Sequence, residues 1–121
     1  MIAQWGSYPN FQKHELDCRE TGENEMQHEF MEKLQRLRSI YDKPLKITSG
    51  FRSVRHSIEA KKAAPGVHTL GVACDIGCQG VEAHRILSLA LELGFSGIGV
   101  QQKGEGRFLH LDTGPTRIWS Y

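Results

Sequence analysis

The segment "GVHTLGVACDIG", residues 66–77, sets two groups capable of chemistry, His68 and Asp75, into an apolar stretch of Val, Ala and Ile. Burying such a pair without partners costs several kcal/mol. A hydrogen bond, a salt link or a metal ion each meets that demand. A second polar pair stands in "RFLHLDT", residues 107–113. Strand alternation there puts Phe108, His110 and Asp112 on one face and Arg107, Leu109 and Leu111 on the other. A ligand with its neighbour and a half-exposed sheet face both fit that pattern. Together, His68, Asp75 and His110 supply two imidazoles and a carboxylate, a set that suits zinc and leaves a fourth position open for water. Open sites of that kind are catalytic, whereas structural zinc sites are closed by four protein ligands.

The other candidate ligands read as structural. His28 and His84 fall on the surfaces of helical segments, and His14 lies in a stretch without pattern. Cys18, Cys74 and Cys78 are an odd number, and their C-x3-C pair has no second pair to close a zinc site. In an extended segment Val72, Cys74, Ile76 and Cys78 share one face, away from Asp75, so these cysteines read as small buried apolar residues.

A frame must position these groups. In "ENEMQHEFMEKLQRLRSIYDKP", residues 23–44, Met26, Phe30, Leu34, Leu37 and Tyr41 recur at helical spacing. Asn24 with Gln27 resembles a capping box, Glu23 and Glu25 suit the positive end of the dipole, and Pro44 marks the stop. "LKITSG" reads as a strand. Residues 51–67 form a long polar connection, with a helical turn around "SIEAKKA" before Pro65-Gly66; such stretches in small domains are usually functional. "LGVACDIG" reads as a second strand, and "GVEAHRILSLALELGF" as a second helix burying Ile86, Leu89, Ala90 and Leu93, with Gly94 at its C-terminus. "SGIGVQQ" and "RFLHLDT" form a hairpin through "KGEG", and "RIWS" a short last strand. Residues 1–24 are irregular and pack on the domain surface. The order predicts a single α+β domain, 1–121, with an antiparallel sheet flanked by two main helices.

Composition narrows the partners. Fifteen basic against fourteen acidic residues give a net charge of +1, without the basic excess of a nucleic-acid or anionic-membrane binder. No apolar run approaches the ~20 residues of a membrane span. "MIAQWGSYPNF" lacks the pattern of a signal peptide, which predicts synthesis in the cytoplasm. A monomer is expected.

"ITSGFRS" at 47–53, "HTLGVACD" at 68–75, "GIGV" at 97–100 and "FLHLDTG" at 108–114, in that order, resemble the peptidase M15 family. Its members are zinc D,D- and L,D-peptidases of bacterial cell walls and phage lysins, and it shares its fold with the hedgehog signalling domain. The resemblance covers about residues 25–119, and the compact length looks most like the phage-borne members. It implies that His68, Asp75 and His110 hold one zinc ion and that Arg52 faces the active site. A guanidinium there neutralises the oxyanion or holds a substrate carboxylate. Ser49 and Ser53 flank Arg52 as orienting or substrate-binding groups. His56 is either a substrate contact from the loop or a solvated residue, and Lys61 and Lys62 either line a cationic rim or face solvent.

One position departs from the family pattern. Many relatives carry a catalytic carboxylate three residues before the last histidine ligand; here that residue is Arg107, which cannot act as a base. Asp112 is then the first choice for the general base and Glu105 the second. Alternatively, Asp112 orients His110 through its free ring nitrogen. The function implied is a zinc-dependent carboxypeptidase or endopeptidase. Its substrate would be peptidoglycan stem peptides or cross-links, reached by release at lysis in the manner of an endolysin. A non-catalytic zinc-binding module and a structural phage protein retaining the motif are the alternatives.

Overall fold

The computed structural model describes residues 1–62, 64 and 66–121. Five strands make one sheet in the order β1-β2-β4-β3-β5: β1 (Lys46–Ser49), β2 (Ala73–Gly77), β3 (Gly97–Gln101), β4 (Phe108–Asp112) and β5 (Arg117–Ser120). The first four pair antiparallel, but β5 runs parallel to β3, so the sheet is mixed where the sequence predicts an antiparallel one. The reason lies in the link 113–116. Asp112 and Arg117 both pair with Gly97, so this short link carries the chain past the start of β3 and returns it on the far side.

Alternation along the strands separates two faces. Cys74, Ile76, Ile98, Leu109 and Leu111 point into the core. Helix α2 (His28–Tyr41) covers them with Phe30, Met31, Leu34 and Leu37, and helix α4 (Gly80–Glu92) with Ala83, Ile86, Leu89 and Ala90. Cys74 and Ile76 are thus core residues, and burial pushes the Cys74 thiol far above its usual pKa. Two short helices complete the α+β domain: α1 (Lys13–Leu16) beside β1, and α3 (Ser57–Ala60) in the polar connection. Ala63 and Pro65, part of the turn predicted there, lie outside the described residues.

Four local readings change. The N-terminal stretch is not a surface wrap, since Tyr8, Phe11, Leu16 and Cys18 are buried in the core. Helix α2 starts at His28 rather than near Asn24, because the preceding residues are held extended: Ala3 donates to the Met26 carbonyl at 2.8 Å and Gln27 to that of Gly71 at 2.9 Å. Glu23 pairs with Arg55 instead of the helix dipole, and Glu29 is the acid of the first turn. His28 is not a free surface residue, for its Nδ1 meets the Tyr8 hydroxyl at 2.6 Å. His14 and His84 are exposed. Among the described residues, no helix is long and apolar enough to cross a membrane.

Candidate metal centre

The second face of the sheet carries the polar groups in rows. One row of cross-strand partners runs Ser49, Asp75, His110, Gly99, Trp119, and the next runs Ala73, Asp112, Gly97, Arg117. Directly opposed residues lie close enough for their side chains to interact. His68 joins the first row from a single 3₁₀ turn (Val67–Leu70) that feeds β2.

His68 Nε2 lies 3.2 Å from His110 Nδ1 and 3.4 Å from Asp75 Oδ1, and His110 Nδ1 lies 3.0 Å from that same oxygen. Zinc bonds of 2.0–2.1 Å in a tetrahedron give ligand–ligand edges of about 3.3 Å. All three residues are buried. The outer nitrogens fix the tautomers: His68 Nδ1 donates to the Gly50 carbonyl at 2.8 Å, and His110 Nε2 to Asp112 Oδ2 at 2.6 Å. The inner nitrogens then present lone pairs, so three acceptors converge on one point. That is the donor set of a cation site, with outer partners of the kind that orient metal-bound histidines. The surroundings also draw positive charge onto His110. Burial works against it, but Asp112 and then Asp75 hold its pKa above the ordinary value. Burial likewise opposes ionisation of Asp75, yet His110 and His68 bring its carboxyl down to about 2.

Asp112 is wholly enclosed, and both its oxygens are engaged. Oδ1 accepts from the Gly114 amide at 2.9 Å and Arg117 Nη1 at 3.0 Å, and Oδ2 from Arg117 Nη2 at 2.8 Å as well as from His110. Burial raises its pKa, but His110 and then Arg117 hold the carboxyl well below the usual range. The expected base therefore sits behind His110 rather than in the cavity. Glu105, the second choice, is exposed in the turn between β3 and β4 and does not line the cavity. Arg107 lies across the sheet with Leu109 and Ala83, so its position does not reach the site either.

A cavity of about 470 Å³ opens on His68, Asp75 and His110. Arg52 lines it, with Nη1 on Glu59 Oε2 at 2.9 Å and Nη2 on Ser49 Oγ at 3.3 Å. Ser49 therefore orients the arginine. Ser53 does not reach the cavity: it is buried, and its hydroxyl accepts from the Arg55 amide at 3.1 Å. His56 is turned away as well, capping α3 through Nδ1 and facing Glu20 with Nε2 at 3.1 Å. Lys62 lines the cavity, and Lys61 does not.

The sequence reading missed Glu59, which holds Arg52, and Arg117, Trp119 and Tyr121, which line the cavity. The Glu59 carboxylate is buried and accepts from Arg52, from Lys62 at 3.0 Å and from the Gly66 amide at 2.9 Å. Burial opposes its ionisation, but the Gly66 amide, Arg52 and Lys62 bring its pKa to about 2. Trp119 places its ring 4.9 Å from that of His110, and the Arg117 guanidinium lies 4.8 Å from the Trp119 ring. The alternation of "RIWS" carried that signal in part, since it puts Arg117 and Trp119 on one face.

Fold and site define a small α+β domain with a His–Asp–His ligand cluster at an open cleft. The chain belongs to the peptidase M15 family, whose model matches residues 9–112. It is similar to the peptidoglycan L,D-endopeptidase MepK of Escherichia coli (strain K12), 34% identical over 82 residues. That match takes in 64% of this chain and 44% of the relative, and the MepK of Shigella flexneri matches equally. The chain thus spans less than half the length of the curated relatives it matches.

Proposed function

We propose that this chain is a zinc-dependent peptidase that hydrolyses the peptide part of bacterial peptidoglycan, in stem peptides or in cross-links. One observation carries the reading: His68 Nε2, Asp75 Oδ1 and His110 Nδ1 converge at zinc-like spacing on a cavity open to substrate. Family membership and the relatives' activity on peptidoglycan support it. In this reading the wall is reached by release at lysis.

Zinc held by these three residues would supply Lewis acidity and a water acidified toward a pKa of ~7. The chain's own groups do the rest. The Gly50 carbonyl and Asp112 keep the two imidazoles in their ligating tautomers. Asp112 acts as a positioning group, because neither of its oxygens is free to take a proton from the cavity. Arg52, clamped by Ser49 and Glu59, offers its remaining N–H groups to a substrate carboxylate or to charge developing on the scissile carbonyl. Arg52 and Lys62 against Glu59 leave one net positive charge at the cavity wall, which suits the free carboxylates of wall peptides.

A second reading, a metal-holding module without hydrolysis, rests on one observation. Among the described residues, Asp75 is the sole carboxylate lining the cavity, and it is itself a ligand in the set. Mass spectrometry of purified peptidoglycan after incubation, with and without added zinc and with His68→Ala as control, separates the two. New amino and carboxyl ends that require zinc and His68 establish the peptidase and name the bond. Stoichiometric zinc without cleavage across several wall chemistries establishes the module.

A further inference from the structure

The glycines of "GIGV" have no conformational reason to be glycine. Neither Gly97 nor Gly99 has a positive φ, and both lie within regular β3. What they supply is space. A Cβ on Gly99 would stand 2.8 Å from Trp119 Cε2 and Cζ2 and 3.0 Å from His110 Cβ. A Cβ on Gly97 would overlap Asp112 Oδ1 and Arg117 Nη1. Each glycine thus occupies the position in its row between a β4 residue and the β5 residue that supports it.

We infer that β5 is a brace for the metal centre, in which Arg117 and Trp119 reach over Gly97 and Gly99 to hold Asp112 and His110, and so set the affinity for the ion. Strand β3 would normally keep β5 side chains about two strand spacings, roughly 10 Å, from β4. Two residues without side chains remove that barrier. Arg117 then forks onto both oxygens of Asp112, leaving Oδ2 aimed at His110 Nε2. Trp119 covers the imidazole of His110 from the side of β5. Of the three residues in the set, His110 is therefore the one that the side chains of β5 support. Arg117, Trp119, Gly97 and Gly99 are positioning residues, acting through His110 and Asp112.

The inference rests on the metal-site reading, and its test separates the two. Zinc affinity is measured by competition with a chromophoric chelator for the unmodified chain, His110→Ala, Arg117→Met, Arg117→Lys, Trp119→Phe, Trp119→Ala, Gly99→Ala and the double variant Gly99→Ala/Trp119→Ala. Leu34→Ala, a core change in α2 remote from the brace, serves as the control for loss of stability alone. Arg117→Met is expected to weaken zinc binding about 10- to 100-fold, the usual effect of disturbing an outer partner, and Gly99→Ala to weaken it on the order of 10-fold by pressing on Trp119 and His110. Arg117→Lys and Trp119→Phe recover part of it, and Leu34→Ala leaves it unchanged. The double variant loses less than the two single losses combined, because Trp119→Ala removes the closest clash that Gly99→Ala creates and leaves only the 3.0 Å approach to His110 Cβ. Should the unmodified chain bind zinc through His110 while the folded Arg117 and Gly99 variants bind it equally well, the brace is overturned and the metal site stands. Failure of the unmodified chain to bind zinc overturns both.

Discussion

Arg52 draws its position from two partners on different elements, Ser49 at the end of β1 and Glu59 in α3. A lysine there keeps the charge but not the fork. Arg52→Lys is expected to lower kcat/KM on a wall peptide about 10²- to 10³-fold. Zinc content by metal analysis stays unchanged, which places the loss in substrate handling. Much of this site was legible in the sequence at the residue scale. Asp75 and His110 stood out as polar groups in apolar strands, His68 as one just before a strand, and the family resemblance singled out Arg52. Glu59 was invisible, because an acid in a polar loop gives no sign that folding will enclose it. Asp112 was read with the right neighbour, but its engagement by Arg117 depends on a pairing between strands that no local pattern encodes.

Among the elements, α3 depends most on charge. Glu59 titrates near 2 in the folded chain against an ordinary 4.5, so its contribution is complete above about pH 4.5 and is lost as pH falls toward 2. The protection factor of the Gly66 amide, held by Glu59, should fall over that interval, and Glu59→Gln should show the low protection already at neutral pH. Helix α2 depends on packing instead. Leu34 is fully buried, and Leu34→Ala should cost about 2–5 kcal/mol in denaturant unfolding. The long periodic helices were readable because their apolar spacing is local. The start of α2 was not, since extended pairing with Ile2 and Gly71 takes residues the sequence assigned to the helix. The parallel placement of β5 escaped for the same reason as its role: it follows from where the 113–116 link crosses, not from the composition of "RIWS".

Across the whole molecule, the ligand set ties together β2, β4 and the turn before β2, segments up to 42 residues apart in the chain. A metal ion at that junction favours the folded state by mass action. Zinc at about 1,000 times its Kd contributes roughly 4 kcal/mol, a rise in thermal midpoint on the order of 10 °C. A chelator should reverse the rise in differential scanning calorimetry, and His68→Ala should show none.

The same sheet carries a hazard in β2, where Asp75 faces the cavity and Cys74 the core. A slip of one residue in pairing exchanges the two faces of a strand. A β2 so misplaced would turn the Cys74 thiol toward the cleft and bury the Asp75 carboxylate among aliphatic side chains. Thiolates are strong zinc ligands, so an ion present before the register is set would trap the wrong pairing. If the cluster holds zinc as proposed, sheet first and metal second is the productive order of assembly. Refolding from denaturant should return more active protein when zinc is added after the chain has folded than when it is present from the start.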